Sequence, residues 1–293
     1  MKDAARLLAY FAATILFGVL AAPLLYWGAQ SLIAHGYLTF LAKFDFETYF
    51  HRALLMGALV FLWPLFRWLK IRNGSELGLT PNPKWKRDAG AGLLIAAVPL
   101  LCFGALLLAL EIYTLRPSAS VMKLLERTLS ALIVPFLEEP IFRGLILGVL
   151  LRSSPVWAAL FGTSAIFSLL HFLKAPEHTS VIVTWMSGFV SLGNSFTQFN
   201  QPLLLLAGFT TLFLLGWILA DARMRTRSLW LPIGLHGGWI FANGIFNKMT
   251  RQQTEALPWL GKSLLIGIAP LCVALISWGI LRMWLKYVES AKT

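Results

Sequence analysis

Cysteine is nearly missing from this chain. Cys102 and Cys272 are the only two among 293 residues, each inside an apolar run, which excludes a disulfide framework or a cysteine metal centre and leaves packing as their role. Charge is scarce as well: Asp, Glu, Lys and Arg together make up 13% of the sequence, where a soluble globular domain carries roughly a quarter. Linkers are lacking too, since no Pro-rich or Gly/Ser-rich stretch divides the chain and no internal repeat is evident. The expectation is a single integral membrane domain over residues 1–293, with no soluble appendage.

What is abundant is apolar. Hydrophobic residues make up 58% and mean hydropathy is +0.71, the composition of an all-α polytopic membrane protein. Apolar runs near the roughly 20 residues that cross a bilayer predict about eight transmembrane helices, at Leu7–Ala34, Ala53–Leu69, Ala89–Tyr113, Thr128–Leu150, Val156–Leu173, Leu203–Ala220, Leu229–Asn247 and Leu264–Leu285. The first apolar stretch exceeds the roughly 7 to 15 residues of a secretory signal, so it reads as a retained span. A net charge of +12 points to membrane topology and not to nucleic acid, because the basic residues fall at span ends. Cytoplasmic loops collect such residues. With the N-terminus inside, the inner loops hold more of them than the outer, above all the loop with Arg67, Lys70, Arg72, Lys84, Lys86 and Arg87. Both termini are therefore expected in the cytoplasm.

One stretch breaks the apolar pattern. Phe136-Leu137-Glu138-Glu139-Pro140-Ile141-Phe142-Arg143 puts two carboxylates and a guanidinium in the fourth span, where an ionisable group costs roughly 2.5 to 3.5 kcal/mol on insertion scales. At about 100° per residue, Glu139 and Arg143 share a face one turn apart in the favourable acid-first order. They neutralise each other, and Glu138 is left over. Pro140 removes a backbone hydrogen bond and is expected to kink the helix, and carbonyls freed at membrane depth need protein or water around them, hence a wet pocket. The bland alternative is a buried ion pair with a spare protonated glutamate pinning helices together.

Two histidines share the problem. His171 ends the fifth span and falls on one helical face with Ser164 and Ser168; His236, in the seventh, shares a stripe with Asn243 and Asn247. A lone histidine in an apolar helix is usually a hydrogen-bonded core residue, but two of them plus an unpaired glutamate, each in its own span, argue for a site. Two chemistries fit. The three residues could ligate zinc, as histidines and a carboxylate do in metalloproteases, although the His-Glu-x-x-His motif is absent. Alternatively Glu138 is a general base on water, His171 orients it and His236 donates to a developing oxyanion. The metal-free version is preferred.

Taken together, Glu138-Glu139-x-x-x-Arg143, Phe167-x-x-x-His171 and the helix opened by Arg227-Ser228-Leu229-Trp230-Leu231-Pro232-Ile233-Gly234-Leu235-His236 resemble the CAAX prenyl protease and bacteriocin-processing family, the Abi family of intramembrane glutamic endopeptidases. The resemblance covers residues 138–243, inside a motif-bearing core at about 128–247. It implies that Glu138 activates water with His171, that His236 stabilises the oxyanion, and that Glu139 and Arg143 shape the site. Zinc stays open, since a metal has been favoured in some accounts of the family. The family commonly has asparagine or aspartate four residues after the second histidine; Ile240 stands there in this chain, with Asn243 one turn later as a weaker candidate, about 10 Å along the axis from His236.

The resulting expectation is an endopeptidase of a bacterial inner membrane that cuts a membrane-associated protein or peptide. A non-catalytic immunity or binding protein of the same fold and a proton-coupled transporter are the alternatives. Two details stand apart. The stretch from His178 to Gln201 reads as an interfacial lid or as a plain loop, and straight helices would hold His171 and His236 more than roughly 10 Å apart in depth.

Overall fold

Helix forms nearly everywhere the sequence is apolar. The structure, a computed structural model, describes residues 2–79, 81–117, 120–172, 182–254 and 256–290. In chain order the helices are α1 (Lys2–Ala34), α2 (Phe46–Trp68), α3 (Trp85–Ala109), α4 (Val121–Glu139), α5 (Leu147–Leu151), α6 (Val156–Phe172), α7 (Ser187–Ser195), α8 (Pro202–Leu204), α9 (Thr210–Thr226), α10 (Trp230–Met249) and α11 (Ile268–Ser290). Wider π-type turns, Pro140–Ile146 and Leu205–Phe209, join α4 to α5 and α8 to α9. Two short strands, β1 (Tyr113–Leu115) and β2 (Thr250–Gln252), pair antiparallel.

Among the described residues, five helices are long and apolar enough to cross a membrane: Lys2–Ala34, Phe46–Trp68, Trp85–Ala109, Pro202–Thr226 and Ile268–Ser290. The other three expected spans are helical but fall short of that measure. In the fourth, helix α4 begins before the expected span and carries Lys123, Glu126 and Arg127 besides Glu138 and Glu139, the fifth has only 17 residues in α6, and Pro232, the glycines and two asparagines dilute the hydropathy of α10. Large side chains such as Leu8, Val60, Leu94 and Met283 are open on the long helices, as hydrocarbon-facing residues of a membrane protein are. The expected fifth-span end at Leu173 and residues 178–181 of the possible lid lie outside the described residues.

Contacts gather into two compact units. In the first, α1 and α2 pack through Gly18, whose missing side chain admits Leu54, around Val19, Ala22, Phe46, Phe50 and Ala53. Helix α7 joins them: it lays Gly188 on the backbone of Val19, and Trp185 meets Trp27 edge-on at 4.7 Å. The stretch 187–195 is thus an ordered helix and not a plain loop.

The second unit holds the motifs. Gly234 and Gly238, one turn apart on α10, sit against the carbonyls of Ala89 and Leu93 on α3; a Cβ on Gly238 would lie 2.5 Å from the Leu93 oxygen. Small residues at this spacing let two backbones approach closely, and Gly92 of α3 returns the contact against Leu231. On its other side α10 receives α4, whose buried residues Ala131, Pro135 and Glu139 recur every fourth position and so form one stripe. Gly237 of α10 accommodates the Ala131 carbonyl, while Leu132, Ile133, Phe136 and Leu137 of α4 stay exposed. Helix α6 packs on α9 where Gly216 sits against Ser164 and Phe167, and Ser168 Oγ donates to the Phe209 carbonyl in the turn before α9 at 2.7 Å.

Candidate active site

Helix spacing places the first members of the site. Glu139 ends the buried stripe of α4, and Arg143, four residues on, donates from Nη1 to Glu139 Oε1 at 3.0 Å, both side chains having no exposed surface. Pro140 lies between them. Its missing N–H deprives the preceding turn of a donor, and the helix widens into a π-type turn over Pro140–Ile146 without breaking, so the kink expected from the sequence takes this form. Such single widened turns gather at functional sites. Arg143 Nη2 donates to the Gly216 carbonyl at 3.2 Å, and its guanidinium covers the Phe167 ring at 4.3 Å.

Glu138, one residue earlier, points another way. Its Oε2 lies 3.1 Å from His171 Nε2 and 3.9 Å from His236 Nε2, and one ligand-type atom from each of the three residues falls within 4.8 Å of the others. The close approach of Glu138 Oε2 to His171 is an ion-pair contact without the alignment of a hydrogen bond, so this buried oxygen has no hydrogen-bond partner among the described residues. The Glu138 side chain is 28% exposed, that of His171 29% and that of His236 8%. The site therefore opens on the Glu138–His171 side and is closed behind by Glu139 and Arg143.

Each imidazole is held at its other nitrogen. His171 Nδ1 donates to the Phe167 carbonyl at 2.9 Å, one turn back on α6. His236 Nδ1 donates to Glu139 Oε1 at 2.8 Å, so Glu139 binds both Arg143 and His236. Anchoring Nδ1 turns both Nε2 atoms toward Glu138. Phe167 completes the packing, with its ring centroid 4.1 Å from His171 and 5.8 Å from His236.

The structure corrects the depth separation expected from straight helices. His171 is the sixteenth residue of α6 and His236 the seventh of α10, which would set them about 13 Å apart in helices starting level; the ring centroids are 6.5 Å apart, so α6 and α10 are staggered or inclined. Asn243 is not drawn in: its Oδ1 accepts from Asn247 Nδ2 at 3.1 Å, two turns along α10. The ring of Phe167 and the carbonyl of Gly216 had no assigned part in the sequence reading. Phe167 was legible as the residue one turn before His171, while Gly216 carried no signal.

An all-α integral membrane protein with a glutamate and two histidines gathered in one helical unit is the class that fold and site define. Residues 120–242 match the family model of the type II CAAX prenyl endopeptidase Rce1-like proteins. This is the family that the three motifs resemble, and the matched stretch contains Glu138, Glu139, Arg143, His171 and His236 and ends just before Asn243. No curated protein and no solved structure matches the chain.

Proposed function

We propose that this protein is an intramembrane endopeptidase that hydrolyses a peptide bond of a membrane-associated protein or peptide with water activated by Glu138. The observation that carries the reading is the buried Glu138 Oε2, without a hydrogen-bond partner among the described residues and with two imidazole Nε2 atoms beside it. Water reaching the part-exposed side of Glu138 and His171 gives a proton to Glu138 as its oxygen attacks the carbonyl carbon, and His171 orients that water. His236, anchored at Nδ1 by Glu139, would donate to the oxyanion from Nε2 when it carries a proton on both nitrogens. The proton taken by Glu138 then passes to the leaving amine, which balances the reaction.

Glu139 and Arg143 act as positioning residues. Their ion pair holds the His236 ring from behind, where it cannot rotate without leaving a buried carboxylate short of a donor. The donor set also fits zinc, because histidines anchored at Nδ1 present Nε2 to a metal; Glu138, His171 and His236 would hold it, and it would supply Lewis-acid activation of water. We carry the metal-free reading forward because the short-range His-Glu-x-x-His zinc motif is absent from the sequence and the three residues come from separate helices. The setting we infer is a bacterial inner membrane, with both termini in the cytoplasm.

The test compares the terminal peptides of host membrane proteins, by mass spectrometry, in membranes carrying the wild type or Glu138→Ala. New termini confined to the wild type are expected, while identical sets would contradict the reading. If a chelator abolishes the activity and zinc restores it, the metal-free mechanism fails and the zinc version takes its place.

A further inference from the structure

Away from the Glu138 site, at one end of the same unit, four helix termini enclose a second polar space. The start of α3 with the residues leading into it, the end of α9, the Arg227–Ser228 link toward α10 and the end of α11 line a cavity of about 320 Å³. Four cations line it: Lys84, Arg87, Arg225 and Arg227, against the two carboxylates of Asp88 and Glu289. Two of the cations are already committed. Arg87 bonds Asp88 at 2.8 Å and lies over the Trp284 ring at 5.5 Å, and Arg225 bonds Asp221 at 2.9 Å. Asp88 is buried and further tied by Asn82 Nδ2 at 2.9 Å. Lys84 and Arg227 have no acidic partner among the described residues, and their charge is left for something else.

The backbone adds a separate observation. Arg227 caps α9 with φ 52° and ψ 25°, the left-handed conformation that glycine adopts freely and a branched-off side chain resists. A long side chain stands where a glycine would be less strained, as with Lys70 and Glu111 elsewhere in the chain, so Arg227→Gly is a conformationally permitted change.

We propose that this cavity binds a phosphate group of the kind an anionic lipid headgroup carries. Three of the enclosing helices belong to apolar segments long enough to cross a membrane, Trp85–Ala109, Pro202–Thr226 and Ile268–Ser290, so the cavity lies where such segments reach the headgroup layer. Basic pockets between helix ends at that level suit phosphate headgroups, and Trp284 has the amphipathic ring found there. The inference does not depend on the peptidase reading.

The test is thermal unfolding of the full chain in a zwitterionic detergent, titrated separately with short-chain phosphatidic acid, short-chain phosphatidylcholine and inorganic phosphate. Phosphatidic acid is expected to raise the midpoint where phosphatidylcholine does not. Lys84→Gln and Arg227→Gly should each weaken its apparent affinity by roughly five-fold, and Lys248→Gln, a charge-matched change at the far end of α10, should leave it unaltered. Arg227→Gly relieves the backbone strain, so its ligand-free midpoint should not fall, which separates lost binding from lost folding. A shift with inorganic phosphate that both variants weaken would uphold the phosphate site and assign it to the free ion. No shift with any phosphate, or shifts that Lys84→Gln and Arg227→Gly leave unchanged, would overturn the proposal.

Discussion

Arg143 is fully buried against Glu139 and the Phe167 ring, so the energetics of the site begin with a charge that water does not reach. Removing one partner of a buried pair leaves the other uncompensated, at a cost of about 3 to 5 kcal/mol, whereas replacing both with neutral groups of similar shape is often close to neutral. Arg143→Met is therefore expected to lower the melting temperature markedly in detergent, and the double change Glu139→Gln with Arg143→Met to recover most of the loss; equal losses in both would argue against a coupled pair. This pairing was legible in the sequence, because acid and base four residues apart on a helix share a face. The second duty of Glu139 was not. Its bond to His236 Nδ1 at 2.8 Å joins residues 97 positions apart, and helix periodicity carries no information about which helices meet.

At the scale of elements, the site depends on how closely α10 approaches its neighbours. Gly234 and Gly238 flank His236 and face α3, while Gly237 faces α4, so the glycines that dilute the hydropathy of this segment also place its histidine. Gly238→Leu would force a side chain into the Leu93 carbonyl and Ala96, displacing α10 at an overpacking cost of about 1 to 3 kcal/mol. The predicted outcome is a protein that inserts into membranes with a lower melting temperature and greatly reduced hydrolysis; wild-type activity in this variant would show that the close α3–α10 contact does not position His236. The helical periodicity that revealed the polar stripe of α6 also says nothing about stagger between helices, which is why His171 and His236 had seemed too distant in depth. Asn243 illustrates the same limit: its face on α10 was readable, but its pairing with Asn247 was not.

For the molecule as a whole, composition alone indicated a helical membrane protein, and the long apolar helices with open Leu, Val and Met side chains agree with it. The number of spans was less readable, because two of the segments that carry the chemistry, α4 and α10, are diluted by charged or polar residues and the third, α6, is short. Basic residues gather at the ends of α2 and α3, at Arg67, Lys70, Arg72, Lys84, Lys86 and Arg87, which predicts that reporters fused to either terminus report the cytoplasm; a periplasmic signal from either would contradict that orientation. The central claim is that Glu138, between two imidazoles, is the base that activates water. Its most direct test is cleavage of a membrane-anchored reporter peptide by the purified protein in lipid, wild type beside Glu138→Gln at matched melting temperature. The account predicts hydrolysis by the wild type and none above background by Glu138→Gln, while cleavage at equal rates by the two would contradict it.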